Sequence, residues 1–346
     1  MNNILYIWTG DMSNDKWFKN IKIVESFMNY NNNFDFLEYK KINDKTIFNK
    51  YNIIIIQYWC ISYINNNDIN NILKKLFKNK SVYLIIYDIH PYSFDMKLYE
   101  KTIKNSLTND DIKITYSNFN SLLVEYNIKC IIGSYECKES DYILKYCNVK
   151  YEIIHHHIDS KIFNVSKKFN YDNKIYDILI FGNSCNTQTS CLTYPLRNKI
   201  FNLINNIKNN IKNNIKNKNI IQIKIVESID FIELPSYIEK SWITVSTCGF
   251  SDYFVQKYIE IIACKSVILG NIPEQAKKIF DKDSYIHIDM NITDEEFENV
   301  ILNNLKNKNK LIDICEKMYN IVHKNYGLEK YDEKINNIIT NLEKKM

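Results

Sequence analysis

Arg197 is the one arginine in a chain of 346 residues that otherwise takes every basic side chain from lysine. A planar guanidinium holds two oxygens of a phosphate or carboxylate at once, whereas an ammonium is a compact point charge. The load of Lys, Asn and Ile fits the coding bias of an AT-rich genome, such as that of a large DNA virus or a similarly biased host. Such bias pushes Arg towards Lys wherever a bare charge suffices. Arg197 therefore either grips an oxyanion of a ligand or answers a structural carboxylate. It stands in Tyr194-Pro195-Leu196-Arg197, downstream of an apolar run at 175–181 and the turn Gly182-Asn183-Ser184. Glycine lets the backbone approach a ligand closely, and the free amides of a following helix turn favour an anion. A phosphate near Gly182, Asn183 and Arg197 is the chemistry that this order of residues supports.

A second cluster follows the apolar run 242–247, which leads through Cys248-Gly249-Phe250-Ser251 to Asp252 and an expected helix at 254–263. Asp252 suits an N-cap, because its carboxylate can accept from exposed amides. Glu260 sits eight residues later amid Tyr258, Ile259, Ile261, Ile262 and Ala263. A carboxylate in apolar surroundings needs a partner. Sugar hydroxyls would supply one, and so would Lys257 or Lys265 at the surface. His155-His156-His157 offers no shared metal site, since neighbouring side chains of an extended segment point to opposite faces. Asp281-Lys282-Asp283 reads as a solvated turn, and no divalent cation is required.

The elements that must position these residues are short continuous apolar runs alternating with helical patterns, the mark of parallel strands buried on both faces. The runs lie at 4–8, 53–58, 82–87, 130–133 and 151–154, then at 175–181, 220–226, 242–247, 266–269 and 285–288. Amphipathic segments such as 68–77 lie between them. The pattern is a doubly wound α/β unit occurring twice. Ile200, Ile204, Ile207, Ile211 and Ile215 step by four or three and predict a long helix through an Asn/Lys-rich stretch. The expected division is 1–160, a junction at 161–174 within the polar segment 158–174, a second unit at 175–327, and a charged helix at 328–346.

The net charge of +5 is small and both signs are interleaved, which argues against a nucleic-acid face. Nine scattered cysteines without a C-x-x-C pair indicate neither a zinc ribbon nor a disulfide framework, and fit reduced thiols in a cytoplasmic compartment. The first residues carry no cationic segment or cleavage site, so no signal peptide is expected. The apolar runs fall far short of the roughly 20 residues of a membrane span.

The run from Gly249 through Glu260 to Pro273, with Phe181-Gly182 and Tyr194-Pro195-Leu196-Arg197 upstream, resembles the C-terminal half of GT-B glycosyltransferases. It is most like the spore-maturation-type group that shares the E-x7-E arrangement of retaining nucleotide-sugar enzymes. The likeness covers about residues 176–326 and, more loosely, the first half. It implies two Rossmann-like domains facing a cleft, with the nucleotide-sugar held mostly by the second. By the same resemblance Glu260 would hold the ribose hydroxyls and Asp252 would lie near the donor sugar. Arg197, aided by Lys257, would hold the diphosphate. Gly249 and Phe250 belong to the same loop. Gly10, in Thr9-Gly10-Asp11, would turn its amides to the diphosphate, and His90, in Asp88-Ile89-His90-Pro91, would lie near the scissile bond. Two departures stand out: Asp252 replaces a glutamate, and Ala263-Cys264-Lys265 replaces Ala-Cys-Gly. The implied activity is transfer of a sugar from a UDP- or GDP-linked donor to a glycan or protein acceptor, with retention and without a permanent cofactor. A sugar-nucleotide epimerase and a degenerate glycan- or protein-binding module are the alternatives.

Overall fold

The structure, a computed structural model, describes residues 4–9, 20–31, 33–43, 49–62, 67–86, 101, 106–134, 136–182, 194–213, 221–226, 229–249 and 252–344. The chain divides into two units, one of Met1–His156 with Tyr331–Met346 and one of His157–Lys330.

In the first unit, strands β1 (Ile4–Trp8), β2 (Phe34–Glu38), β3 (Ile53–Gln57), β4 (Ser81–Ile86), β5 (Ile128–Gly133) and β6 (Lys150–Ile153) form a sheet in the order β2-β1-β3-β4-β5-β6. Every pairing is parallel. Ile53, Ile54, Ile55 and Ile56 are completely buried, as expected of β-branched side chains in a sheet covered on both faces. Helices α1 (Asn20–Tyr30), α2 (Tyr58–Ser62), α3 (Asn67–Phe77), α4 (Asn109–Glu125) and α5 (Lys138–Tyr146) occur between the strands. Strand β2 is absent from the sequence expectation. Phe34-Asp35-Phe36-Leu37-Glu38 interrupts its apolar residues with charges and lies at the sheet edge, half exposed, so it forms no continuous run. The chain reverses its direction of travel across the sheet between β1 and β3. There Thr9 donates its backbone N–H to Gln57 Oε1 at 3.0 Å, both residues being buried.

The second unit repeats the plan with β7 (Tyr176–Phe181), β8 (Ile223–Val226), β9 (Ser241–Val245), β10 (Val267–Gly270) and β11 (Ile286–His287) in the order β11-β10-β9-β7-β8. Its pairings are likewise parallel. Its helices are α6 (Pro195–Asn213), α7 (Leu234–Glu239), α8 (Lys257–Ala263), α9 (Asp294–Lys306) and α10 (Lys308–Tyr326). The isoleucine stripe expected along α6 is buried at Ile200, Ile204 and Ile207, and Ile215 falls outside the described residues. Helix α9 starts at a reciprocal cap, with Thr293 Oγ1 accepting from Glu296 N while the Glu296 carboxylate accepts from Thr293 N.

The segment Ile158 to Lys174, expected to be a polar junction, is packed within this second unit. Ile158 N donates to Tyr326 O at 2.8 Å, Phe163 is buried, and Lys174 Nζ donates to the carbonyls of Glu239, Ser241 and Lys265 at 3.0, 2.7 and 2.7 Å. The rings of Phe169, Tyr171 and Trp242 surround that ammonium, and burial draws it down to about 8. The last helix, α11 (Leu328–Glu343), begins where the sequence places it. Its buried stripe Tyr331, Ile335 and Ile339 belongs to the first unit, where Tyr331 meets Phe27 edge-on at 5.3 Å and Asp332 accepts from Asn31 Nδ2. No described helix is long and apolar enough to cross a membrane.

Candidate functional site

In open parallel sheets, ligands bind beyond the carboxyl ends of the strands, where the order of winding reverses. In the second unit that point lies between β7 and β9, whose ends lead to Gly182 and Gly249 respectively. Gly182 has φ +88°, the left-handed region that a side chain rarely enters, and a Cβ there would lie 2.6 Å from Lys257 Nζ. Lys257 opens α8 and donates to Phe181 O at 3.0 Å, with its ammonium 4.4 Å from the centre of the Phe181 ring. One lysine thus lies directly on the glycine turn that ends β7.

Arg197 is the third residue of α6, a helix begun by Pro195, whose missing N–H costs nothing at that position. The residue is 7 % exposed. Its guanidinium carbon lies 3.9 Å from the centre of the Tyr194 ring, and its buried Nε has no hydrogen-bond partner among the described residues. The structural carboxylate that could have explained Arg197 is not found among them. A buried donor left without an acceptor is costly, so the arrangement fits a site completed by an oxyanion from outside the chain.

Two tyrosines join the loops that carry these groups. Tyr194 and Tyr253 place their hydroxyls 3.0 Å apart, and the Tyr253 ring lies so close to Gly249 that a Cβ there would meet it at 2.9 Å. Tyr258 in α8 donates to Asn271 O at 2.8 Å; burial pushes its phenol well up, and the charge of Arg197 opposes that shift. Arg197 is therefore within electrostatic reach of α8. Glu260, one turn into that helix, is buried rather than at the surface, while Lys265 forms its ion pair with Glu316 at 2.6 Å. Gly182 thus meets Lys257, and Arg197 is joined through Tyr194 and Tyr253 to Gly249, while Glu260 lies buried on α8.

Asp252 corrects the sequence reading. Helix α8 starts at Lys257, not at 254, and the residue before it is Gln256. Asp252 is exposed, takes φ +50°, and its carboxylate accepts from Glu274 N at 3.3 Å instead of capping α8. Gly10, His90, Asn183 and Phe250 lie outside the described residues, as do Asp88 and Asp11. The other departure has a simple geometry: Lys265, where the resembled enzymes carry glycine, keeps the left-handed backbone at φ +53°.

Sequence reasoning passed over the hydroxyl pair of Tyr194 and Tyr253, because 26 tyrosines in the chain leave no background against which to notice two. It also passed over Ser246 and Thr247, whose buried hydroxyls at the end of β9 have no partner among the described residues. Asp281 takes part in a turn, accepting from Asp283 N and Ser284 Oγ and pairing with Lys317 at 2.6 Å. His155 Nδ1 lies 3.1 Å from Ser134 O, and the described residues contain no group of three or more His, Cys, Asp or Glu arranged to hold a metal. The seven described cysteines are all free and buried. A pocket of about 400 Å³ lies between α6 and the start of α9, lined by Asn198, Lys199, Asn206 and Asp294 among others, and Arg197 is not part of it.

No family model matches this chain, and no curated protein matches it in sequence. Solved structures do. Sucrose-phosphate synthase from Thermosynechococcus elongatus superimposes with a TM-score of 0.60 at 12% identity, covering 100% of both chains. Anabaena HepE in complex with UDP-glucose gives 0.59 at 9% identity over 99% of this chain and 100% of its own. An alpha-glucosyltransferase in complex with UDP-glucose and DNA containing an abasic site gives 0.57 at 12% identity over 98% of this chain and 99% of its own. The shared property is the fold, two parallel-sheet α/β units of the GT-B class.

Proposed function

We propose that this protein is a glycosyltransferase that takes its sugar from a nucleoside-diphosphate donor held by the second unit. The observation that carries the reading is the buried guanidinium of Arg197 with an unused Nε–H, joined through Tyr194 and Tyr253 to the loop after β9, while Lys257 lies at the end of β7. Two cations and a glycine turn match the charge and bulk of a diphosphate. Glu260 would accept from the ribose hydroxyls. UDP is favoured over GDP because the structures of like fold named above hold UDP-glucose. Asp252 and Glu260, eight residues apart, relate the site to the E-x7-E enzymes of the spore-maturation type, and with them to retention at the anomeric carbon.

Catalysis in this scheme is electrostatic. As the bond from the anomeric carbon to the diphosphate oxygen breaks, negative charge grows on the leaving group, and fixed positive groups in a water-poor site oppose that charge without reorganising. Arg197 and Lys257 supply the fixed charge, and Asn183, after the Gly182 turn, would add a backbone dipole. His90 would act near the scissile bond, Gly10 would add a backbone amide, and the loop of Gly249 and Phe250 would border the donor. The acceptor would be a glycan or a protein.

Titration calorimetry with UDP and GDP tests the reading. The wild type should bind UDP, Arg197→Lys should weaken it by about tenfold through loss of the bidentate grip, and Glu260→Ala should weaken it similarly. Failure of the wild type to bind either nucleotide would remove the transferase assignment and leave a glycan- or protein-binding module. Conversion of the donor sugar in the absence of any acceptor would point instead to an epimerase.

A further inference from the structure

The guanidinium of Arg197 is held by its neighbours in a way that its own flexible stem does not require. Its carbon lies 3.9 Å from the centre of the Tyr194 ring, a stacking distance that fixes the plane of the fork. Tyr194 is itself fixed, because its hydroxyl lies 3.0 Å from that of Tyr253. Tyr253 is 1 % exposed and is set against Gly249, where any side chain would collide with the Tyr253 ring and hydroxyl at 2.9 and 3.1 Å. The series Gly249, Tyr253, Tyr194 and Arg197 leads from the loop after β9 to the first turn of α6. Its last member has a buried Nε without a partner among the described residues.

We infer that Tyr194 and Tyr253 are positioning residues that orient Arg197 towards two oxygens of a diphosphate. The Tyr194 ring sets the guanidinium plane, and the hydroxyl pair sets the ring. The inference deepens the proposed function and rests on it for the identity of the ligand. Stacking leaves the in-plane N–H groups of the fork free for oxygens, whereas a carboxylate partner would consume them. Orienting the fork in advance also reduces the ordering cost that binding must meet. The loop after β9 and the start of α6 are thereby coupled, so a change at Tyr253 should be felt at the diphosphate and not at the base.

The solitary arginine makes the test direct, because a nitrogen-15 spectrum of this protein contains a single arginine Nε–H signal. In the wild type that signal should be shifted by the ring current of Tyr194, and in Tyr253→Phe and Tyr194→Leu it should move towards the position of free arginine. Calorimetry on the same proteins should show UDP weakened about five- to tenfold by Tyr253→Phe, uridine binding unchanged, and no further loss when Tyr253→Phe is added to Arg197→Lys. A wild-type signal already at the free-arginine position, or one that Tyr253→Phe leaves in place, would overturn the positioning role. So would equal losses for UDP and uridine, or an undiminished loss in the Arg197→Lys background. A shifted signal together with no UDP binding by the wild type would uphold the stacking and sink the functional reading instead.

Discussion

Gly182 and Lys257 occupy one small volume at the end of β7, and that proximity makes a sharp demand on the glycine. Gly182→Ala would force a side chain into φ +88° and drive Lys257 Nζ from a contact of 2.6 Å. The backbone part alone should cost about 1–2 kcal/mol, seen as a lower urea midpoint, and UDP affinity should fall with it. The singularity of Arg197 was legible in the sequence, because it is the one arginine of a lysine-rich chain, but its burial and its unpartnered Nε were not. Glu260 was legible as an anomaly within an apolar helix. Asp252 was misread for a physical reason: an aspartate before an apolar helical run suits an N-cap and a left-handed turn equally well, and only the tertiary path decides between them. Lys265 illustrates the converse. Its φ of +53° keeps the backbone that glycine would favour, while its side chain finds Glu316 and the faces of Phe169, Tyr171 and Tyr319.

Among the elements, central strands such as β1, β3 and β4 were legible because a strand buried on both faces must be a continuous apolar run. Edge strand β2 and the late start of α8 were not, since neither leaves an apolar signature in the chain. Nor could the sequence show that Lys174 joins three elements. Its ammonium serves the carbonyls of Glu239 at the end of α7, Ser241 at the start of β9, and Lys265 beyond α8. Lys174→Met would keep the stem and strand three carbonyls without a donor. The second unit should lose about 2–4 kcal/mol, read from chemical denaturation at neutral pH. A loss below about 0.5 kcal/mol would mean that water replaces the ammonium freely.

At the scale of the molecule, each unit contains a histidine whose burial favours the neutral ring. His155 in the first unit is lowered from its ordinary 6.5 by burial, with Lys334 adding to the effect and Glu136 and the Ser134 carbonyl opposing it. His323 in the second is lowered by burial, with the Ala263 carbonyl opposing and Lys265 adding. Below about 6.5 the unfolded chain binds protons that the folded protein refuses, so stability falls as pH falls through that window. The melting temperature should drop between pH 7 and 5, and the drop should shrink in a His155→Gln, His323→Gln double variant. Carboxylates with lowered values, such as Asp35, Asp111 and Asp281, act at more acid pH, below this window. The placement of α11 has a further consequence, for biogenesis. The second unit is one uninterrupted stretch of chain, whereas the first lacks Tyr331, Ile335 and Ile339 until the whole of the second has been made. On the ribosome, the part made later can therefore mature earlier, and the sheet begun at Ile4 must wait for its closing helix, exposed to chaperones in the meantime.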